Sequence, residues 1–166
     1  MENCGEKSVI LEIHSVLMRF SGSISAKLDA KGRVFLPSVY RKLLPDADME
    51  LVLKRDTYQS CLVIYPGNIW EAEVDTLRQR LNRWNPQEAM VFRQYLADAE
   101  TFSLDANGRF LIPKRLLKIA EIERELTFVG VDDRIEIWSK TRAEQPFMSQ
   151  NELSEALQKL VGGNII

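Results

Sequence analysis

Apolar and polar residues alternate in two short segments of the chain, and each segment is followed by a turn signal. Residues 23–28 (Ser-Ile-Ser-Ala-Lys-Leu) have the two-residue period of a half-buried strand. The turn residues 29–32, Asp-Ala-Lys-Gly, then lead into a second predicted strand over 33–36. The same order recurs with strands at 101–104 and 109–112. The pattern therefore predicts a β-hairpin in each half of the chain.

The two hairpins belong to an internal repeat. Residues 28–42, LDAKGRVFLPSVYRK, and residues 104–118, LDANGRFLIPKRLLK, are identical at seven positions with an offset of 76 residues. A duplication of this kind within 166 residues indicates two copies of one structural unit, packed against each other. Whatever Arg33 presents at the surface, Arg109 is expected to present again.

Each copy continues with a helix and two further strands. Pro37 and Pro113 lie where a first helical turn tolerates a missing N–H, which predicts helices over 38–44 and 114–120. The further strands are predicted at 50–54 and 62–65 in the first copy and at 125–129 and 135–138 in the second. The order strand–turn–strand–helix–strand–strand is thus repeated.

Longer amphipathic helices follow each copy. Their starts are predicted by capping signals at Asn68, Asn85-Pro86 and Ser149, and Gly162-Gly163 predicts the end of the last one. Each helix has an apolar stripe. The stripes are Val74–Trp84, Phe92–Ala99 and Leu153–Val161. For a single helix such a stripe favours packing on the core, and packing between subunits is the alternative.

Composition narrows the class of protein. At 166 residues and 45% hydrophobic, the chain can bury one core or two small coupled ones. It has no run of 18 apolar residues that would span a membrane, and its start lacks the features of a signal peptide. Cys4 and Cys61 do not suggest a disulfide framework or a metal site. These features predict a cytoplasmic protein with no membrane partner.

The residues offer little support for catalysis. His14 is the only histidine, which excludes most histidine-dependent active sites and the usual zinc sites. The chain contains no phosphate loop or dinucleotide fingerprint, and its carboxylates form no convincing pair. The second turn resembles the start of a calcium loop, but Leu116 stands where an acidic ligand is required. We therefore expect no enzymatic activity, no cofactor, no metal site and no small-molecule substrate.

Positive charge is concentrated in the two repeats, although the whole chain has a net charge of −2. Residues 27–42 have a net charge of +4 and residues 101–120 a net charge of +3. Residues 43–100 and 121–138 each have a net charge of −4. A protein with a negative net charge can therefore still have a basic surface. This distribution favours a nucleic acid as the partner.

The candidate site is centred on Arg33 and Arg109. Each arginine could pair with the aspartate four residues earlier, Asp29 or Asp105, and so close its turn. Alternatively, the aspartate could orient an arginine that contacts phosphate or a guanine edge, and both interpretations can hold together. The turn glycines, and five basic residues expected to contact phosphate or to be solvated, complete the candidate set: Gly32, Gly108, Lys31, Lys42, Lys114, Arg115 and Lys118.

These residues resemble the MraZ family of bacterial transcriptional regulators. The resemblance rests on the twin LDAKGR…P and LDANGR…P motifs, the leader FSGSISAK at 20–27, and the helical hairpin between the copies. One D-x-x-G-R motif is weakly specific. Two copies 76 residues apart, each followed by a proline-started helix, are strongly specific. The resemblance extends from about Met18 to about Val161.

The resemblance implies an α+β fold of the AbrB-like class. It would be a pseudo-two-fold, swapped-hairpin β-barrel made of two tandem repeats, with an outer layer of helices. The repeats would occupy 18–100, with the helical hairpin, and 101–166, with the C-terminal helix, and would form one folded unit. The family's D-x-x-x-R motif maps onto Asp29–Arg33 and Asp105–Arg109, which would form one contiguous basic patch.

The implied function is sequence-specific binding of double-stranded DNA. The protein would control transcription of the division and cell-wall gene cluster, in the cytoplasm and associated with the nucleoid. The family also assembles into rings, which implies a homo-oligomer larger than a tetramer that contacts short direct repeats. The alternative is a ring-forming protein-interaction scaffold in which the Asp–Arg pairs are structural.

The chain departs from the family pattern in three places. The Phe-Arg-Gly of the family's opening Met-Phe-Arg-Gly aligns with residues 20–22, where Ser21 stands in place of the arginine. Asn107 replaces Lys31 in the second repeat, which predicts a less basic second half of the patch. Residues 1–17 lie outside the family pattern, and we expect them to be an upstream mis-assigned start or a disordered tail.

Overall fold

The fold is described by a computed structural model over residues 19–145 and 147–162, so the predicted extension, Cys4 and His14 lie outside the described residues. The first repeat contains β1 (Ser23–Lys27), β2 (Arg33–Phe35), α1 (Ser38–Arg41), β3 (Leu51–Arg55), β4 (Leu62–Pro66), α2 (Gly67–Arg80) and α3 (Pro86–Ala97). The second contains β5 (Glu100–Phe102), β6 (Arg109–Leu111), α4 (Lys114–Ile119), β7 (Glu125–Val131), β8 (Arg134–Ser139), α5 (Lys140–Ala143) and α6 (Gln150–Val161). Within these ranges, no helix is both long and apolar enough to cross a membrane. The predicted repeated order of elements is confirmed.

The strands of the two repeats are interleaved. Six strands form an antiparallel sheet in the order β1-β7-β8-β4-β3-β5, and β2 pairs with β6 in a separate two-stranded ribbon. The first strand of each repeat pairs with the third strand of the other, since β1 pairs with β7 and β5 with β3. If each strand is replaced by its counterpart in the other repeat, the strand order of the sheet is the same order read in reverse. The sheet therefore has a pseudo-two-fold relation between its halves.

The predicted swapped-hairpin β-barrel is not confirmed. Among the strands of the described residues, β1 and β5 are the two edges of the six-stranded sheet and are not hydrogen bonded to each other. A barrel requires every strand to have two hydrogen-bonded neighbours. The predicted β-hairpin in each half is wrong, because the two strands that flank each turn do not pair with each other: β1 pairs with β7, β5 with β3, and β2 with β6. A tight turn after β1 and another after β5 carry the chain out of the sheet and into the ribbon. The observed architecture is α+β, with an open sheet and a ribbon.

One hydrophobic core joins the inner faces of the sheet and the ribbon. Val34 and Phe110, the central pair of the ribbon, are 1% and 4% exposed. The Phe110 ring stacks on Phe102 of β5 with centroids 4.8 Å apart and lies 6.4 Å from Phe128 of β7. Each fully buried side chain of this size contributes about 1.5–3 kcal/mol to stability. The core therefore holds the ribbon from one side, and no other strand of the described residues covers its outer face.

Two short helices follow the ribbon strands. Pro37 and Pro113 lie one residue before these helices as their N-caps, and not within the first turn as predicted. Their ψ values of 138° and 143° are extended, so that each proline ends the ribbon before the helix begins. Tyr40 of α1 and Leu116 of α4 stand at equivalent repeat positions and are fully buried. These two side chains attach the helices to the core.

The prediction that the apolar helix stripes pack on the core is met only in part. The stripes of α2 and α3 are mostly half-buried, and Ala99 packs against a cluster of Val52, Val63 and Tyr65, whereas the stripe of α6 is mostly exposed. No residue of α2, α3 or α6 is buried. Trp70 of α2 contacts Tyr65 at 5.4 Å and stacks on Tyr95 of α3 at 5.6 Å between ring centroids, which ties both helices to the sheet. Trp84 lies beyond the end of α2 and is 94% exposed. The other large apolar residues left exposed on α3 and α6 are Met90, Val91, Leu153, Leu157, Leu160 and Val161.

Two of the three predicted helix starts are confirmed. The Asn85 side chain accepts hydrogen bonds from two backbone N–H groups of α3, and Ser149 forms a capping box with Glu152 at α6. The prediction at Asn68 is wrong, because α2 already begins at Gly67 and has no side-chain cap. The last helix ends at Gly162, which has a φ of +68°. Local capping chemistry thus determines most of these boundaries.

Candidate nucleic-acid interface

The first repeat turn is closed by its own aspartate. Asp29 Oδ1 accepts hydrogen bonds from the backbone N–H groups of Lys31 and Arg33, both at 2.9 Å, and Asp29 Oδ2 accepts one from Arg33 Nε at 2.9 Å. The Gly32 N–H donates to the Asp29 carbonyl at 3.1 Å. Gly32 has a φ of +83°, a backbone conformation that residues with a side chain rarely adopt. The predicted roles of aspartate and glycine in forming the turn are confirmed.

The second turn reproduces this geometry. Asp105 Oδ1 accepts from the N–H groups of Asn107 and Arg109 at 2.9 Å, and Asp105 Oδ2 accepts from Arg109 Nε at 3.0 Å. Gly108 has a φ of +81°. Since the same arrangement arises twice in the chain, it is a property of the D-x-x-G-R segment.

Both turn aspartates are held in their charged form. The hydrogen bond from the Arg33 backbone N–H lowers the pKa of Asp29, and the corresponding bond from Arg109 lowers the pKa of Asp105. Both carboxylates are open to solvent, so their ion pairs contribute little to stability. Their main physical effect is to orient the two arginines.

Pairing through Nε leaves the end of each guanidinium available. In the part of the chain that the structure describes, Nη1 and Nη2 of Arg33 and Arg109 take part in no hydrogen bond or salt bridge. This free end has the two-donor geometry that binds guanine O6 and N7, or two oxygens of one phosphate. The same arginine can therefore close the turn and contact a ligand.

The ribbon brings the two arginines to one surface. Arg33 lies opposite Leu111, and Phe35 lies opposite Arg109. Side chains alternate along a strand, so these four residues share the outer face while the central pair faces the core. Diagonal neighbours in such a ladder are about 7–8 Å apart. The structure thus joins the two half-patches into one site.

Two apolar residues on this surface were missed by the sequence analysis. Phe35 lies opposite Arg109 and Leu111 lies opposite Arg33. These two side chains are 54% and 55% exposed. The Arg109 guanidinium lies over the Phe35 ring, 5.7 Å from its centroid. The two-residue period of a strand places Phe35 on the same face as Arg33, and this pattern in the sequence would have predicted its place on the surface.

The other candidate cations are distributed unequally around the ribbon. Lys31, at the first turn, and Lys114, at the start of α4, line one groove of about 820 Å³. Arg124 lines the same groove and was not predicted. Lys42 and Lys118 are exposed at the C-terminal ends of α1 and α4. The groove therefore brings two of the predicted lysines together beside the first turn.

Arg115 differs from these lysines because carboxylates already surround it. Its guanidinium pairs with Glu100 and lies 3.8 Å from Asp98. These contacts connect α4 to the start of β5. The structure thus gives Arg115 a structural partner and does not bring it to the ribbon as a free cation.

A separate polar cluster lies away from the ribbon. Asp56, Cys61 and Glu136 place one possible ligand atom each within 4.8 Å of one another. Cys61 is fully buried, and burial raises the pKa of its thiol, so the thiolate that a metal needs is disfavoured. The Trp138 Nε1–H donates to Glu136 at 3.1 Å. This chemistry fits a structural cluster better than a metal site.

Sequence comparisons with known proteins identify one family. The family model described as "MraZ protein, putative antitoxin-like" matches the chain twice, over residues 19–94 and 95–162. The chain is 53% identical over 148 residues to "Transcriptional regulator MraZ" of Phocaeicola vulgatus, covering 89% of this chain and 96% of that protein. It is 47% identical over 146 residues to the proteins of the same name from Bacteroides thetaiotaomicron and Bacteroides fragilis. These matches cover 87% of this chain and 94% and 92% of the respective relatives.

Proposed function

The chain belongs to the MraZ family of transcriptional regulators, and we propose that it acts by binding specific sequences of double-stranded DNA through the outer face of the β2–β6 ribbon. The observation that carries this proposal is the twin Asp–Arg geometry. Two arginines on one ribbon each have an occupied Nε, and their Nη ends have no protein partner within residues 19–145 and 147–162. A purely structural ion pair does not require that end to remain free.

The dimensions of the ribbon suit the major groove of B-DNA. That groove admits a two-stranded β-ribbon, and an arginine pairing with guanine is its commonest specific contact. The two arginine positions are about 7–8 Å apart, and base pairs stack about 3.4 Å apart. Arg33 and Arg109 would thus reach bases about two steps apart, and Phe35 and Leu111 would contact thymine methyl groups.

Phosphate contacts would come from the cations around the ribbon. Lys31 and Lys114 share one groove beside the first turn. Lys42 and Lys118 are exposed at the ends of the short helices. Such contacts position a protein on the duplex without reading its sequence.

The wider proposal concerns the target and the assembly. The resemblance to MraZ proteins supports a target upstream of the division and cell-wall gene cluster, and association with the nucleoid in the cytoplasm. The interleaved strands support repeats 18–100 and 101–166 acting as one folded unit. The exposed apolar residues of α3 and α6 support a homo-oligomer, which we propose to be a ring larger than a tetramer on short direct repeats. The proposal involves no cofactor and no enzymatic step.

The direct test is a gel shift with the DNA upstream of the chain's own operon, against scrambled DNA of the same length. We expect a clear preference for the upstream DNA. Equal affinity for both duplexes, or binding to neither, would favour the alternative of a protein-interaction scaffold with structural Asp–Arg pairs.

Salt should weaken this binding steeply. Because the chain has a net charge of −2, its affinity for DNA must come from the local patch. The slope of log affinity against log salt concentration should be about −0.9 per phosphate neutralised. Lys31→Ala should reduce that slope by about one and leave the sequence preference unchanged. Titrations by fluorescence anisotropy at several salt concentrations measure both quantities.

The matched control for this prediction is Lys159→Ala, which removes an exposed lysine of α6 outside the ribbon and both turns. It should leave the slope unchanged. A wild-type slope near zero would remove nucleic acid from the proposal.

A further inference from the structure

The second turn receives a cation from the first repeat. Arg41, the last residue of α1, donates through Nε to the carbonyl of Leu36 at 2.9 Å. Its guanidinium covers Gly108, since a Cβ atom at that glycine would lie 2.5 Å from Arg41 Nη1 and 2.8 Å from Cζ. The Leu36 N–H in turn donates to the Gly108 carbonyl at 3.0 Å. Arg41 is therefore fixed beside the turn that carries Arg109.

The first turn is built differently. The counterpart of Arg41 in the second repeat is Leu117. The atoms nearest to a Cβ on Gly32 belong to a backbone carbonyl and a leucine side chain, at 3.5 and 3.6 Å. The extra cation of the first turn is Lys31, whose counterpart is Asn107. Each turn thus has a cation that its counterpart lacks at the equivalent position, and the second turn obtains its cation across the boundary between the repeats.

The charge of Arg41 has no protein partner in the described residues. No carboxylate there forms a salt bridge with it, and its one hydrogen bond uses Nε. Asp105, the acid of the adjacent turn, already accepts three hydrogen bonds from its own segment. Arg41 as a residue is half-buried, and the Leu36 carbonyl orients its guanidinium through Nε, so its Nη end is left for an anion.

We propose that Arg41 contacts a backbone phosphate of the duplex and completes the second half of the site, next to the base contacted by Arg109. The inference rests on the proposed function, because it names a further contact of the same site. Charge-assisted contacts from a pre-oriented guanidinium to phosphate are strong and cost little side-chain ordering. From the sequence, Asn107 predicts a less basic second half of the patch. Arg41 supplies that half with a cation in place of the one that Asn107 lacks.

The test compares Arg41→Met, which keeps a long apolar side chain, with Arg41→Lys, which keeps the charge. The probe is a duplex from the DNA upstream of the chain's own operon, titrated at several salt concentrations. Arg41→Met should weaken binding at least about tenfold and reduce the slope by about one. Arg41→Lys should retain most of the wild-type slope. Thermal unfolding of both variants reports whether Arg41 also holds the turn.

Two results would overturn the role of Arg41. One is an unchanged slope for Arg41→Met. The other is an equal loss of affinity and of slope in Arg41→Met and Arg41→Lys with lowered thermal stability in both, which would make Arg41 a structural residue. If the wild-type protein itself has no salt-dependent preference for the upstream duplex, the proposed function fails. If wild type and Lys31→Ala behave as expected and Arg41→Met keeps the wild-type slope, only the inference about Arg41 fails.

Discussion

Arg33→Ala should weaken specific DNA binding by about 1–3 kcal/mol, the usual value of a good bidentate contact to a base, and leave the fold intact. The fold should survive because the guanidinium bonds only to the exposed Asp29 in the described part of the chain, and such pairs add little stability. The core behind the ribbon, with Val34 and Phe110, is not touched by the substitution. Competition titrations with specific and scrambled duplexes, together with thermal unfolding, measure both effects.

Two further variants distinguish a contact of Arg33 with a base from a purely structural role of the Asp–Arg pair. Arg109→Ala should have a comparable effect, because Arg41 supplies the charge that Asn107 lacks. Arg78→Ala is the matched control, since it removes an arginine that pairs with Asp75 on α2, outside the ribbon. It should bind as wild type does. Early melting of Arg33→Ala with full binding of the folded fraction would show that the Asp–Arg pair is structural only.

Breaking the subunit assembly should lower operator affinity by a factor of about 10²–10⁴. One ribbon reads only a few base pairs, and so short a site occurs too often by chance to select one operator. Linking several ribbons makes the later contacts intramolecular, and avidity then exceeds a single contact by this factor. A head-to-tail contact that closes produces a ring with its ribbons at regular intervals. We therefore expect a closed oligomer larger than a tetramer that binds adjacent short repeats.

The apolar face of α6 offers a direct way to test this assembly. Leu157 is 49% exposed in the single chain, so Leu157→Glu should leave the fold intact and weaken the contact between subunits. Gln158→Glu adds the same charge to the neighbouring exposed position and is the matched control. Light scattering measures the mass, and duplexes with altered repeat spacing measure the avidity. A wild-type monomer at micromolar concentration, with binding insensitive to repeat spacing, would contradict the prediction.

The turns and helix caps were determined by the sequence itself. Asp29 and Asp105 bond to backbone groups only two and four residues away, and the glycine of each turn supplies the positive φ. Asn85 likewise caps a helix that starts at the next residue. Interactions within five residues depend on little outside the segment, so a repeated motif folds in the same way twice. The candidate arginines, and their orientation by aspartate, were predictable for this reason.

Only the tertiary structure decided how these local units are combined. The partner of Ser23 is Val129, and the choice among many apolar strands depends on the packing of the whole core. An apolar helix stripe shows that a face is to be covered but not by what, so the sequence could not separate the half-buried stripes of α2 and α3 from the mostly exposed stripe of α6. Arg41 reaches Gly108 only because the ribbon pairs the two repeats. Contacts between distant segments arise from the competition of all the strands for partners, and that competition cannot be read from any one segment.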